Sequence, residues 1–247
     1  MNYNLCIPIP IKYARIEEVK PIIDKAIKSK PNLIELRFDY IPNIQALSVG
    51  FVKDLLNNIH PHAAVIFTLR SSSEGGQLII NERERFRILK ILIESKPDYL
   101  DIEMNTDKDI LKEIIKLTTQ NKVKVIFSYH NFKKTMTLEE SIKLVQDFKQ
   151  NITQELSLDS KILEDIIYKL IFTAQNFEDN LIPLKLCKEL SNSNQKIISF
   201  CMGPLGIYSR IICVLTGSFL TYASLEKKTA PGQINIKKMR EIFDLLH

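Results

Sequence analysis

Short apolar segments alternate with longer amphipathic segments along the whole chain. The apolar segments are rich in isoleucine, valine and phenylalanine, which is typical of strands buried on both faces of a sheet. The segments between them carry apolar residues at helical spacing, which predicts amphipathic helices. The predicted strands are 5–11, 32–38, 63–68, 99–103, 123–128, 165–172, 196–200 and 218–222. The predicted helices are 16–29, 49–59, 81–95, 107–118, 138–149, 179–190, 206–215 and 236–246.

Strict alternation of strand and helix predicts a parallel sheet, because parallel strands need a crossover connection between them. Eight such units in 247 residues match the size of a (β/α)8 TIM barrel. No shift in composition and no low-complexity tract interrupts the pattern, so we expect an α/β chain with a single domain over residues 1–247. Functional side chains of such barrels lie at the carboxyl ends of the strands.

Polar side chains do occur at the ends of the predicted strands. They are Glu35 and Arg37 on the second strand, Arg70 after the third, Asp101 and Glu103 at the end of the fourth, His130 after the fifth and Arg210 beyond the seventh. The sixth strand contains Lys169, surrounded by large apolar residues. The expected position of an active site is therefore populated on several neighbouring strands.

Lys169 is an unusual residue for a buried strand. Lysine is seldom buried, because removing its ammonium group from water is costly unless the group is paired or loses its proton. One interpretation is a helix that begins near Leu158 and lets the lysine reach solvent. In the barrel register the side chain points inward, and burial favours the neutral amine, which attacks carbonyl groups. Lys169 is therefore the candidate nucleophile.

Charged residues alternate with apolar residues in the second and fourth strands. Glu35, Arg37 and Asp39 share one face, and so do Asp101 and Glu103. Charges inside a barrel are costly unless they pair or hold a polar ligand, and both interpretations stay open for the second strand. On the fourth strand the arginines nearby favour ion pairing over a magnesium-type metal site.

His130 is the best-placed histidine for acid–base chemistry. His60 and His62 precede the third strand, at the opposite end of the predicted barrel, and His247 is the last residue of the sequence. Histidine titrates near neutral pH and can both remove and return a proton. We expect His130 to be the acid–base catalyst, with a structural histidine as the alternative.

Three polar loops are candidates for substrate contacts. The loop 68–77 contains two of the seven glycines, which permit close backbone approach, although an ordinary turn has the same composition. Gly203 and Gly206 precede a helix, where backbone N–H groups can bind an anion, and Arg210 adds a donor for a carboxylate or phosphate. The segment 229–233 follows the eighth strand and suits a lid.

Composition narrows the class of protein. Hydrophobic residues make up 45% of the chain and charged residues 26%, as in ordinary globular proteins, and no apolar run approaches a membrane span. The net charge of +5 is spread along the chain, so we expect no nucleic-acid partner. The first residues lack a signal-peptide pattern, and the four cysteines lack metal-ligand spacing, which predicts reduced thiols in a cytoplasmic protein.

Taken in order, these segments resemble the type I 3-dehydroquinate dehydratases, shikimate-pathway enzymes that use a lysine Schiff base. The resemblance runs from residue 5 to residue 233 and rests on short motifs near the ends of predicted strands. They are Glu-Leu-Arg-Phe-Asp at 35–39, Thr-Leu-Arg and Glu-Gly-Gly at 68–70 and 74–76, Asp-Ile-Glu at 101–103, Ser-Tyr-His-Asn-Phe at 128–132, Lys169, Met-Gly through Ser-Arg at 202–210, and Ala-Pro-Gly-Gln at 230–233.

The resemblance implies dehydration of 3-dehydroquinate to 3-dehydroshikimate with no metal and no organic cofactor. It implies that Lys169 forms an imine with the substrate ketone, that His130 acts as base and then acid, and that Glu103 orients His130. The implied substrate-binding residues are Glu35, Arg37, Arg70, Glu74, Asp101, Met202, Arg210, Tyr222, Thr229, Ala230 and Gln233. Arg210 would hold the substrate carboxylate, and a homodimer is the expected assembly.

Some positions depart from the common family pattern. Thr229 stands where serine is usual, and Phe200 where methionine is frequent. Tyr222 stands where phenylalanine is expected, and a buried phenol needs a hydrogen-bond partner or water. These departures concern contacts with the substrate and leave the expected reaction unchanged.

Two other functions stay open at the level of sequence. One is a Schiff-base aldolase of a sugar phosphate, in which the turn at Gly203 and Gly206 would bind the phosphate. The other is a barrel that binds a carboxylate without catalysis. The first would form an imine with a different substrate, and the second would form none.

Overall fold

The structure, a computed structural model, describes residues 3–156, 165–225 and 232–246. Within these ranges strands and helices alternate as the sequence predicts. The strands are β1 Leu5–Pro10, β2 Leu33–Arg37, β3 Ala64–Thr68, β4 Tyr99–Glu103, β5 Lys124–His130, β6 Ile167–Thr173, β7 Lys196–Met202 and β8 Thr221–Tyr222. The helices are α1 Ile16–Lys28, α2 Val49–Ile59, α3 Glu82–Glu94, α4 Lys108–Asn121, α5 Leu138–Leu156, α6 Leu181–Asn192, α7 Ile207–Ile212 and α8 Ile236–Leu245.

The eight strands belong to one sheet in the order β7-β6-β5-β4-β3-β2-β1-β8. Strands β1 to β4 pair in parallel with their sequence neighbours, and so do β5 to β7. A helix follows each strand, which is the arrangement of a (β/α)8 barrel and confirms the predicted fold class. No helix in the described ranges has the length and apolar character needed to span a membrane.

Contacts between residues divide the chain into two compact units. The first unit spans residues 5–125, and the second begins at residue 126 and also takes in Asn4. Each unit contains four of the strands together with the helices that follow them. The organisation as a single domain over residues 1–247 stays a prediction.

Local chemistry explains where several helices begin. The side chains of Ser48, Asn81, Asp107 and Asn235 each accept a hydrogen bond from a backbone N–H in the first turn of the helix that follows. These helices turn an apolar face inward, and in α2 that face includes the buried Val52 and Leu55. Burial of such faces against the strands places the carboxyl ends of the strands at defined positions.

Some strands end elsewhere than predicted. β5 continues to His130 and β7 to Met202, because the backbone pairing of both strands with β6 continues past the predicted ends. His130 therefore ends its strand instead of following it. β8 has only two residues, since Ser218 makes just an isolated bridge to Ile197 before the strand starts.

Candidate active site

In the first unit, the ends of β3 and β4 carry a network of buried charges. The Arg70 guanidinium donates to Asp101 Oδ1 over 2.7 Å and to Glu103 Oε1 over 2.8 Å. The other carboxylate oxygen of Glu103 accepts from the Arg85 guanidinium, and Oε1 also accepts from the Ser71 N–H at 2.9 Å. Glu103 thus accepts from two arginines and one backbone group while being 1% exposed.

The electrostatics of this network keep Arg70 charged. Burial acts to lower the pKa of the Arg70 guanidinium, but the nearby carboxylates of Asp101, Glu103 and Glu74 outweigh burial and raise that pKa above its ordinary value. At Asp101 and Glu103 the sequence favoured ion pairing with arginine over metal binding. The structure contains such ion pairs, since both carboxylates pair with Arg70.

The charges of the second strand also pair with each other. The Arg37 guanidinium donates to both oxygens of Asp39, over 2.7 and 2.8 Å, and Asp39 also accepts from the Gln77 N–H. Burial acts to lower the pKa of Arg37, and Asp39 raises it above its ordinary value. Glu35 accepts from the Thr68 hydroxyl at 2.7 Å. Of the two interpretations left open by the sequence, ion pairing applies to Arg37 and Asp39.

The loop after β3 needs its glycines for backbone reasons. Gly75 has a φ of 82°, in the left-handed region that favours glycine. At Gly76 a Cβ atom would lie 2.0 Å from the carbonyl oxygen of Arg70, so no other residue fits without a shift of the backbone. This close approach accompanies the burial of Glu74 beside it, at 5% exposure. Both glycines are therefore required by the backbone of this loop, which distinguishes it from an ordinary turn of the same composition.

Arg85 is a member of the network that sequence reasoning missed. It lies in α3, and its guanidinium donates to Glu103 and to the Leu69 carbonyl oxygen. Its position among buried residues of the helix, with Ile88 and Leu89 one turn further on, was the available signal. An arginine on the apolar face of an amphipathic helix indicates a buried carboxylate partner.

In the second unit, Lys169 lies on β6 with its side chain buried. The interpretation as a surface helix is wrong, because residues 167–173 form a strand that is buried on both faces. The position near Leu158, where that helix was expected to begin, lies outside the described residues. The Lys169 Nζ donates to the Tyr222 hydroxyl over 3.1 Å and lies 4.8 Å from the centre of the Tyr222 ring.

Strand register puts His130 on the same face as Lys169. Ser128 pairs with Lys169, and His130 pairs with Ile171 two residues further along both strands. Because alternate residues of a strand share a face, the imidazole follows the amine by one such step toward the carboxyl ends. The backbone beside His130 is held to β6, since the Asn131 N–H donates to the Ile171 carbonyl oxygen at 2.8 Å.

Arg210 lies in α7 with its guanidinium against an aromatic ring. Its side chain is 2% exposed, and its Cζ atom lies 4.4 Å from the centre of the Phe200 ring. Burial lowers the pKa of the Arg210 guanidinium to about 10, although Cys213, Tyr222 and Cys201 act in the opposite direction. Thiols and a phenol are weak acids that offset burial only in part. An anion bound beside Arg210 would stabilise the charged guanidinium.

Backbone N–H groups in and after the turn between β7 and α7 donate to acceptors within the protein. The Gly206 N–H donates to the Gly203 carbonyl oxygen at 3.2 Å, and the Ser209 N–H donates to the Asn180 side chain at 3.0 Å. Those two donors are therefore occupied within the protein. This arrangement weakens the interpretation of the turn as a phosphate site, because such a site needs N–H groups directed at the ligand.

The remaining predicted residues fall in two groups. Met202, the last residue of β7, and Gln233 are both buried. Next to Gln233, a Cβ atom at Gly232 would lie 2.5 Å from the Gly203 carbonyl oxygen. Thr229 and Ala230 lie outside the described residues. Within the second unit, contacts therefore link Lys169, Tyr222, Phe200 and Arg210, and a close backbone approach places residue 232 against the turn that follows Met202.

Comparisons with known proteins identify the family of the chain. The family model described as type I 3-dehydroquinase matches residues 5–247. The 3-dehydroquinate dehydratase of Thermococcus onnurineus is 30% identical over 225 residues, which cover 91% of this chain and 92% of that protein.

Solved structures give the same result. The crystal structure of 3-dehydroquinate dehydratase from Geobacillus kaustophilus matches with a TM-score of 0.84 at 25% identity, covering 99% of this chain and 91% of that one. The type I enzyme of Clostridium difficile, solved with covalently modified comenic acid, matches with a TM-score of 0.81 at 26% identity and covers 99% and 92%. The likeness thus extends over nearly the whole of both chains.

Proposed function

The chain belongs to the type I 3-dehydroquinase family, and from this premise we propose that it eliminates water from 3-dehydroquinate through an imine on Lys169. As a member of the family it is a 3-dehydroquinate dehydratase, a hydro-lyase of the shikimate pathway. The proposal adds the chemical route and the residues that perform it. His130 is the proposed general base and general acid.

The observation that carries the proposal is the placement of an amine and an imidazole on neighbouring strands. Lys169 is 4% exposed, and register puts His130 on the same face, one step closer to the carboxyl ends. The neutral amine is the form of a lysine that attacks a ketone. An imidazole near that amine can reach a proton on the carbon next to the ketone.

The proposed reaction begins with attack of the neutral Lys169 amine on the ketone. The addition product takes up a proton and loses water, which gives a protonated imine that withdraws electrons from the neighbouring carbon. His130 removes a proton from that carbon, and the resulting enamine expels the β-hydroxyl group, which takes a proton from the same imidazole and leaves as water. Water then hydrolyses the protonated imine, which releases the ketone product, the neutral amine of Lys169 and the proton taken up when the imine formed. The histidine ends the cycle in its starting protonation state.

The proposed binding roles follow from charge. Arg210 is a buried cation whose pKa is lowered by burial, so a substrate carboxylate would stabilise it. For the polar groups of the first unit, the resemblance supports contacts with the substrate hydroxyl groups and a role of Glu103 in orienting His130. The residues proposed to contact the substrate hydroxyl groups are Glu35, Arg37, Arg70, Glu74 and Asp101. Met202, Tyr222, Thr229, Ala230 and Gln233 complete the proposed binding set.

Two measurements on the purified protein test the route. Incubation with 3-dehydroquinate should produce the ultraviolet absorbance of an enone, and reduction with borohydride in the presence of substrate should leave a covalent adduct on Lys169. Lys169→Ala should abolish the adduct and lower kcat by at least about 10³-fold, as expected for loss of a nucleophile. His130→Ala should still form some imine but turn over little substrate.

An exposed lysine provides the matched control. Lys196 pairs with Asp165 at the surface, over 2.9 Å, so Lys196→Ala should keep both the adduct and the activity. Dehydration without a trapped adduct would contradict the imine route. Adduct formation with a sugar phosphate but no dehydration of 3-dehydroquinate would favour the aldolase, and binding without either would favour a non-catalytic barrel.

The resemblance also supports three statements about the protein as a whole. We propose a homodimer, a cytoplasmic location and a reaction that needs neither a metal nor an organic cofactor. Light scattering of the purified protein tests the homodimer, and a monomer would contradict it. Cell fractionation tests the cytoplasmic location, and recovery in a membrane fraction would contradict it. Dialysis against a chelator tests the absence of a metal requirement, and a loss of activity would contradict it.

A further inference from the structure

β8 is only two residues long, and both of its residues contact side chains or backbone of the proposed site. The Tyr222 hydroxyl accepts from the Lys169 Nζ over 3.1 Å, and the same nitrogen lies 4.8 Å from the centre of the Tyr222 ring. Both side chains are buried, at 5% and 4% exposure. One tyrosine therefore contacts the proposed nucleophile in two ways, through its oxygen and through its ring.

The Tyr222 ring is itself held in place by its neighbours. Its centre lies 6.1 Å from that of Phe200, with the two planes inclined at 63°. Phe200 is buried on β7, and the centre of its ring also lies 4.4 Å from the Cζ atom of the Arg210 guanidinium. The two aromatic rings thus form a continuous link between the Lys169 amine and the proposed carboxylate-binding arginine.

The backbone of β8 is also anchored. The Thr221 hydroxyl donates to the Arg210 carbonyl oxygen at 2.6 Å, and the Thr221 N–H donates to the Asn4 carbonyl oxygen at 3.0 Å. The Asn4 side chain donates in turn to the Phe219 carbonyl oxygen at 2.8 Å. These bonds fix the backbone that leads directly into Tyr222, so that its hydroxyl is presented at a defined point.

We propose that Tyr222 is a positioning residue that holds the Lys169 amine ready for attack and thereby speeds imine formation. A lysine side chain has several rotatable bonds, and attack requires the nitrogen in one orientation toward the ketone. A phenol both donates and accepts hydrogen bonds, so it can hold the amine in its charged and its neutral form. The inference rests on the proposed function, because it concerns the same amine.

Tyr222→Phe is the direct test, since it removes the hydroxyl and keeps the ring. In a single turnover with 3-dehydroquinate, quenched with borohydride at intervals, the rate of adduct formation on Lys169 should fall by about fivefold, the effect of one hydrogen bond. Affinity for quinate, which has the carboxylate and hydroxyl groups but no ketone, should stay within about twofold. The variant keeps the aromatic ring through which Tyr222 is proposed to pack on a bound ligand, and positioning of the amine does not contribute to that binding. A merely structural role would weaken both.

Tyr168→Phe is the matched control. Tyr168 precedes Lys169 on the same strand but faces the other side, and its hydroxyl has no hydrogen-bond partner among the described residues. This variant should form the adduct at the wild-type rate. If wild type forms the adduct and Tyr222→Phe forms it equally fast, or loses quinate affinity to the same extent as rate, the positioning role is wrong. If wild type forms no adduct, the imine route itself fails.

Discussion

Arginine is buried in both units of the molecule, but its surroundings differ. Arg70 in the first unit donates to Asp101 and Glu103, and these carboxylates raise its pKa despite burial. Arg210 in the second unit lies against the ring of Phe200, and burial lowers its pKa to about 10. The same side chain at nearly the same burial is thus shifted in opposite directions by its neighbours.

The difference separates an arginine whose pKa is raised by buried carboxylates from an arginine whose pKa is lowered by burial. In the first unit, carboxylates and guanidinium groups satisfy one another, so the network is formed before any substrate arrives. In the second unit, Lys169 contacts the hydroxyl and the ring of Tyr222, and Arg210 lies against the ring of Phe200. We therefore expect that removing a charge lowers stability in the first unit and lowers substrate binding or reaction in the second.

The largest expected effect is on stability, at Glu103. Glu103→Ala should lower the free energy of unfolding by about 3–5 kcal/mol, because it deprives two buried arginines of a shared carboxylate. Denaturation by urea, followed by circular dichroism, measures the change. Glu82 is the matched control, since it pairs with the same Arg85 but is 52% exposed, and Glu82→Ala should cost less than about 1 kcal/mol. Equal losses in the two variants would remove the proposed distinction between buried and exposed pairs.

The next effect is on substrate binding, at Arg210. Arg210→Met should raise KM for 3-dehydroquinate by about 100-fold, because the substrate carboxylate loses a buried charged partner. The free energy of unfolding should fall by less than in Glu103→Ala, since burial acts against the cation that this variant removes. Steady-state kinetics and urea denaturation measure the two quantities.

An exposed arginine serves as the control for this variant. Arg83 lies on the solvent face of α3, so Arg83→Met should change neither KM nor stability. A loss of stability in Arg210→Met as large as in Glu103→Ala, with an unchanged KM, would reverse the comparison, because Arg210 would then support the fold and not substrate binding.

The smallest effect is a dependence of stability on pH. Burial raises the pKa of the Cys213 thiol to about 11 from an ordinary value of 9.0, so between pH 9 and 10 the unfolded chain loses this proton while the folded chain keeps it. The unfolded state then binds fewer protons, and the free energy of unfolding should fall by about 1 kcal/mol over this interval. Above pH 10, Arg210 acts in the opposite sense, because its folded pKa is the lower one.

Urea denaturation at pH 8, 9 and 10 measures this dependence. Cys213→Ala should reduce the fall, and the rest should come from Cys187 and Cys201, whose pKa values burial also raises. A fall that is the same in wild type and Cys213→Ala would show that this thiol stays protonated to the same extent in both states.

Much of the fold follows from local pattern in the sequence. Alternation of apolar and amphipathic segments placed all eight strands, and α2 and β4 have the predicted bounds. The segment around Lys169 by itself also fits a helix. Its assignment to a strand depended on the alternation of strands and helices along the rest of the chain. Strand ends were less accurate, since the pairing that extends β5 to His130 involves the backbone of β6 and not the local apolar pattern.

The sequence by itself determined the elements, their order and the family, because periodicity and short motifs are properties of adjacent residues. Tertiary structure alone decided which charges compensate one another. Arg85 meets Glu103 from a helix 18 positions earlier, and Lys169 meets Tyr222 across 53 positions. Those contacts depend on how strands and helices pack, and packing sums many distant interactions that no local pattern records. The compensated arginines and the proposed positioning of the nucleophile therefore became visible only in the folded chain.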